Sequence, residues 1–184
     1  MQDLAAASVI AATRQWIENV VMGLGLCPFV RPFFATGQIR YHVSEAVATE
    51  PLLHDLAQEL LALAAAEPAV CETTLLIHPH VLGAFPDYNE FLDDADALLE
   101  QLELQEVIQV VSFHPHYQFA GTTPEQIDNF TNRSPFPMLH LLRQASVDQA
   151  RATYRDIEGI PDRNIATLQN LSPAAKQRLR GFRF

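Results

Sequence analysis

Val107-Ile108-Gln109-Val110-Val111-Ser112-Phe113 is a run of β-branched and aromatic residues that ends at His114-Pro115-His116. It is too short for an ordinary helix and rich in residues that suit a pleated, buried surface, so it reads as a strand stopped by Pro115. The same arrangement occurs upstream, where Thr73-Thr74-Leu75-Leu76-Ile77 runs into His78-Pro79-His80. A third strand is read in Gln38-Ile39-Arg40-Tyr41-His42-Val43, which alternates as a half-buried strand does.

Helical spacing fills the gaps between these runs. Val9, Ile10, Thr13, Trp16, Ile17, Val20, Val21 and Leu24 predict a helix over residues 3–22, ended by Gly23 and Gly25. A loop through Pro32 and Gly37 follows. Thr49 and Pro51 stand as cap and first-turn proline of a second helix whose stripe is Leu52, Leu53, Leu56, Leu60 and Leu61. Asp87 and Glu90 form a capping arrangement before Phe91, Leu92, Ala95, Leu98, Leu99 and Leu102, and the acidic face of that third helix reads as solvated surface. Downstream, Ser134-Pro135 opens a helix through Leu142, Ser146 and Gln149 form another capping box, and Pro161 and Ser172-Pro173 begin two short helices. The order α-β-α-β-α-β followed by helices predicts a single α/β domain over 1–184. Its small, mostly parallel sheet would have about three strands, with crossover helices and extra C-terminal helices.

The chain has 184 residues, 48% hydrophobic, with a mean hydropathy of +0.02. That is enough to bury the core of one domain. A net charge of −10 argues against nucleic acid and anionic membrane as partners. The charge is uneven: residues 1–132 hold three arginines against 18 acidic residues, whereas 133–184 hold nine basic residues against four acidic. The two parts are expected to attract each other. Two cysteines are too few for a disulfide framework, and the N-terminus lacks signal-peptide character, so a reduced, cytoplasmic setting is expected. The basic, apolar tail at 176–184 either docks on its own or a neighbouring chain, which would give a homo-oligomer, or lies in solvent.

Four of the seven histidines sit in the two His-Pro-His tripeptides, each directly after a predicted strand. Parallel strands bring such positions to one carboxyl edge, where open α/β sheets bind ligands. If His78, His114 and His116 converge, they can hold a divalent metal such as zinc, or serve as acid and base. The competing reading has each histidine donate to a loop carbonyl while each proline punctuates its strand. If the two strands are not neighbours, the tripeptides lie about 10 Å apart.

Cys27 is either a small buried side chain, a metal ligand, a nucleophile, or, through Cys27-Pro28, a haem attachment point. A position just past a helix C-terminus opposes its ionisation. Asn132, Arg133 and Ser134 precede a predicted helix start, where Arg133 can clamp a carboxylate or phosphate and Tyr117 can line the same pocket. Pro135 and Pro137 weaken that cradle by removing N–H donors. Capping by Ser134 and loop bracing by Asn132 are the alternatives. No phosphate-binding glycine-lysine loop, dinucleotide turn or nucleophile elbow is present.

Long motifs carry a resemblance. Residues 19–29 with Leu26-Cys27-Pro28-Phe29, 72–79 with Thr73-Thr74-Leu75-Leu76-Ile77-His78-Pro79, 87–92, 108–121 with Ser112-Phe113-His114-Pro115-His116-Tyr117-Gln118-Phe119-Ala120-Gly121, and 129–142 resemble an uncharacterised bacterial family with plant relatives, classed as a domain of unknown function. The resemblance implies no activity. The family pattern has Asn where Gly25 stands and Tyr where Phe130 stands, so neither an amide nor a phenol there belongs to a mechanism in this chain. The expectation is a small enzyme with a histidine-rich, hydrolase-type site acting on an anionic small molecule, or a non-catalytic ligand-binding or regulatory module built on the same loop. In the enzyme reading His114, His116 and Cys27 are the catalytic groups, and Arg133, Asn132, Tyr117 and Ser134 the substrate-binding ones.

Overall fold

A computed structural model describes residues 5–180. Its sheet has four strands, not three, and is mixed: β1 (Ile39–Val43), β2 (Thr73–Ile77), β3 (Ile108–Phe113) and β4 (Met138–Arg143) lie in the order β1-β2-β4-β3. β1 and β2 are parallel, while β4 runs antiparallel to both β2 and β3. The three expected strands therefore do point the same way. The α/β class holds, and the inserted strand is the correction.

β4 is the segment expected to be a helix begun by Ser134-Pro135. Its Met138-Leu139-His140-Leu141-Leu142-Arg143 suits a helix by propensity, but the position between two strands decides otherwise. A strand covered on both faces loses the alternation that marks a half-exposed one. Leu139 and Leu141 enter one core while Met138 enters the other, all at 0% exposure. The one imidazole on β4 is satisfied: His140 Nε2 is 2.8 Å from Thr73 Oγ1, which itself donates to Leu141 O at 2.6 Å.

Two helical layers enclose the sheet. α3 (Thr49–Ala65) and α4 (Phe85–Gln101) cover one face through Leu52, Leu56, Leu60, Phe91, Ala95 and Leu99. The other face is covered by α1 (Ala6–Trp16), its continuation as a π-helical segment (Ile17–Met22), and Leu168 of α6 (Ile160–Gln169). The wider π winding lets Trp16, Ile17 and Val20 all be buried. Residues expected to be loop form α2 (Val30–Thr36), which ends at Gly37 with φ +73°. α5 (Gln144–Thr153) and α7 (Pro173–Arg180) complete the chain.

The expected caps at Thr49, Asp87 and Ser146 are not formed: α3, α4 and α5 begin at Thr49, Phe85 and Gln144 without a side-chain cap. Ser172 does cap α7, its Oγ accepting from Ala175 N–H at 3.2 Å. The acidic face of α4, with Asp93, Asp94, Asp96 and Glu100, is exposed as expected.

Ion pairs among the described residues stay within the acidic part (Arg40 and His42 with Glu59) or within the basic part (Arg151 with Asp148, Arg163 with Asp156). The cations of the basic part reach the acidic part through backbone carbonyls. Arg143 donates to Leu63 O, Ala66 O and Cys71 O, closing the C-terminal turn of α3. Arg180 donates to Glu125 O, so α7 docks on its own chain; residues 181–184 of the tail lie outside the described residues. No helix among the described residues is long and apolar enough to cross a membrane.

Candidate functional site

β2 and β3 both end at the same edge, one strand apart, and the chain entering β4 threads between their ends. His78 N–H donates to Pro137 O at 3.0 Å and His114 N–H to Asn132 O at 3.2 Å, so the two tripeptides flank residues 132–137. Each leading histidine turns its ring towards Tyr88 in the first turn of α4. The His78 ring stacks on Tyr88 at 5.8 Å and 16°, and the His114 ring lies 5.0 Å from it. All three side chains are at 0% exposure.

The hydrogen bonds fix the tautomers. His114 Nδ1 accepts from His116 N–H at 2.9 Å, so its proton is on Nε2, which donates to Leu82 O at 3.0 Å. His78 donates from Nδ1 to Val81 O at 3.2 Å, which leaves Nε2 as an acceptor, and that atom is buried with no partner. Burial lowers His78 to a pKa of about 4, with the nearby His114 adding to the effect. Burial also lowers His114 to about 4, assisted by His116 and Arg133. Both rings are neutral near pH 7. The Tyr88 phenol, desolvated, is held above its ordinary range.

The family model described as "Protein of unknown function (DUF1415)" matches residues 8–178. The chain belongs to that family. Neither the curated proteins nor the solved structures provide a match.

In this DUF1415 member the three-imidazole convergence expected of His78, His114 and His116 is not formed. Both ring nitrogens of His114 are engaged, and His116 is exposed with its ring 5.8 Å from that of His114. Among the described residues no group of three or more His, Cys, Asp and Glu is placed to hold a metal ion. The geometry instead is the competing one, in which each leading histidine donates to a loop carbonyl.

Arg133 sits beside the site, but its fork is occupied: Nε donates to Tyr117 O at 3.2 Å, a terminal nitrogen to Pro124 O at 2.7 Å, and the guanidinium lies 4.2 Å from the Phe130 ring centre. It braces the long β3–β4 excursion. Asn132 Nδ2 donates to Ser112 O at 3.4 Å, also a bracing contact. Ser134, expected to cap a helix, donates to Phe136 O at 2.7 Å because no helix starts there. The Tyr117 ring packs 5.0 Å from both Phe85 and Phe119.

Cys27 lies between the π-helical segment and α2, not simply past a helix end. Burial raises its thiol pKa, against lowering by the N–H groups of Phe29 and Val30. The residues near it in the chain reach α6, where Asn164 donates to Leu26 O at 2.8 Å, and Tyr154, whose ring lies 5.3 Å from that of Phe29.

Tyr88 and Asn129 are the residues that sequence reasoning undervalued. Asn129, at 0% exposure, accepts from Phe119 N–H and Thr122 Oγ1 and donates to Thr123 O, tying the excursion into a knot. Tyr88 was legible only as part of Asp87-Tyr88-Asn89-Glu90-Phe91. The signal that it joins the site is its position on the first helix after His78-Pro79-His80. An open depression of about 290 Å³ lies elsewhere, lined by Asp96, Leu99, Glu100 and Gln105 with the N-terminal half of β3.

Proposed function

We propose that the protein binds a small molecule at the carboxyl edge of the sheet, with His78 Nε2 as the acceptor of a hydrogen bond from the ligand's hydroxyl or N–H group. The unpartnered nitrogen carries this reading. A buried acceptor left unmade costs about 1–3 kcal/mol, and its neighbours His114 and Tyr88 have every ring nitrogen and the hydroxyl paired. Negative charge on the ligand would face the side of Arg133, with exposed His116 at the entrance. A pKa of about 4 makes His78 a poor general base near pH 7, which favours binding over proton abstraction, so the non-catalytic module is the leading form. Hydrolysis would have to draw on His116.

The test uses the full chain labelled with ¹⁵N-histidine and titrated with small alcohols, carboxylates and phosphate monoesters. Binding is expected to move the His78 Nε2 resonance and leave His140 unmoved, and the accompanying shifts at the His114 and His116 rings are expected to vanish in His78→Phe. If no probe moves His78 and the folded His78→Phe variant is at least as stable as the parent, the nitrogen is a packing feature and the reading falls.

A further inference from the structure

β3 is an edge strand, paired with β4 on one side and with no strand on the other. The ladder fixes which of its backbone groups are used. Gln144 N–H donates to Val107 O at 2.8 Å, and Phe113 N–H reaches Met138 O through the Tyr88 hydroxyl. Val107, Gln109, Val111 and Phe113 therefore turn their N–H and C=O groups towards β4, while Ile108, Val110 and Ser112 turn theirs outwards. Ile108 N–H donates to Leu104 O, and Ser112 O accepts from Asn132 Nδ2. Among the described residues no hydrogen bond reaches Ile108 O, either backbone group of Val110, or Ser112 N–H.

The usual blocks are missing from this edge. Ile108–Phe113 holds no proline and no charged side chain, and its register runs without a bulge. The open depression of about 290 Å³ lies against the same stretch, between Asp96, Leu99 and Glu100 of α4 and Ile108, Val110 and Gln144. Its helical wall is acidic: Asp93, Asp94, Asp96 and Glu100 are exposed, and none has an ion-pair partner among the described residues.

We propose that the β3 edge takes an added strand from a partner protein, an extended segment with arginine or lysine at alternate positions. Running antiparallel to β3 and centred on Val110, such a segment exchanges both backbone bonds with Val110, donates to Ile108 O and accepts from Ser112 N–H. Ile108 and Val110 pack towards α3 and α4. Opposed residues of a ladder share a face, so the segment's residues that bond to β3 carry their side chains to the α4 side. There a basic group meets Asp96 and Glu100 while its aliphatic stem lies along Leu99. The intervening residues fall on the other face beside Gln109 and Val111, where an uncharged β-branched side chain suits the pleat.

A second copy fits this edge less well. Two-fold pairing of β3 about Val110 sets both α4 helices on one face of the joined sheet, with Asp96 and Glu100 of each copy towards the other. The surface lies at the opposite end of β3 from His114, so it is separate from the carboxyl-edge site.

The experiment titrates the ¹⁵N-labelled full chain at low ionic strength with an end-capped peptide of about eight residues in which arginine alternates with threonine. The expected result is saturable binding by fluorescence anisotropy, with the largest amide shifts and slowed amide exchange at Val110 and Ser112, and Leu75 and Leu76 of β2 unmoved. Methylating the arginine backbone nitrogens removes the donors to Ile108 O and Val110 O and is expected to weaken binding about tenfold or more; methylating the threonine nitrogens, which face away, is expected to leave it near the parent value. Asp96→Asn combined with Glu100→Gln, at two exposed positions, is expected to weaken binding about fivefold. No binding, or equal binding of the arginine-methylated peptide or of a glutamate-for-arginine peptide, overturns the proposal. So does a concentration-dependent dimer that protects Val110 and Ser112 without peptide, which would give the edge to a second copy.

Discussion

The Tyr88 hydroxyl donates to Met138 O at 2.8 Å, and its own oxygen accepts from Phe113 N–H at 3.1 Å. Phe113 and Met138 are partners in the β3–β4 register, so a phenol from α4 is inserted where the last rung of the ladder would close directly. One side chain thereby ties helix, edge strand and central strand together and sets the plane against which both imidazoles pack.

Tyr88→Phe preserves the ring and leaves a buried N–H and a buried C=O without their partner. The expected loss is about 3 kcal/mol of unfolding free energy, since each orphaned group costs about 1–3 kcal/mol. Urea denaturation measures it, and a loss under about 0.5 kcal/mol would mean that the rung re-forms directly.

Acid should weaken the fold over a defined window. His78, His114 and His140 each titrate at about 4 when folded, against 6.5 in the ordinary state. The unfolded chain therefore binds more protons between these values, and unfolding free energy falls as pH drops from about 6.5 to about 4. Above 6.5 these groups contribute no slope. The limit is about 1.4 kcal/mol per pH unit for each histidine. Denaturant titrations across this range check it, and His140→Asn should remove about a third of the slope in the two-state limit. Stability that is flat down to about pH 4.5 would contradict the neutral, buried state of all three rings.

Arg143 holds the end of α3 with Nη2 directed at Leu63 O, Ala66 O and Cys71 O and Nε also at Cys71 O, a two-nitrogen fork that a single ammonium does not supply. Arg143→Lys is expected to destabilise the protein by about 1–2 kcal/mol despite conserving charge. Equal midpoints for the two proteins, at equal denaturant dependence, would show that water replaces the lost bonds.

Cys27 should be a slow thiol. Its pKa is raised, chiefly by burial, so little thiolate is present near pH 7. Iodoacetamide is expected to modify it at least about tenfold more slowly than a free model thiol, and Cys27→Ser should leave any His78-linked binding unchanged. Modification at the free-thiol rate would return Cys27 to the list of nucleophiles.

The sequence carried the three parallel strands because their β-branched runs and proline stops are local signals, and β2 falls on Thr73–Ile77 as read. It carried the common edge as well, since strands joined by helical crossovers must end on one side. It did not carry β4. Met, Leu and Arg favour a helix, and a central strand has no exposed face to write an alternating pattern. Arg133 illustrates the same limit at the site. Its residue type and its place in Asn132-Arg133-Ser134 fit an anion clamp, but which acceptors a guanidinium meets depends on carbonyls at Tyr117 and Pro124 that only the folded excursion brings near.

From its sequence alone the chain is fixed as an α/β domain with two histidine tripeptides at one sheet edge, because strand direction and proline stops are written in neighbouring residues. Tertiary structure alone decided that β4 separates those tripeptides, that both of their leading rings pack on Tyr88, and that His114 is fully bonded while His78 keeps one open nitrogen. Those outcomes depend on partners far apart in the chain. The bonds that are made follow from the tendency of buried polar groups to take whichever acceptor or donor the packing places within reach, and His78 Nε2 is open because the packing places none there.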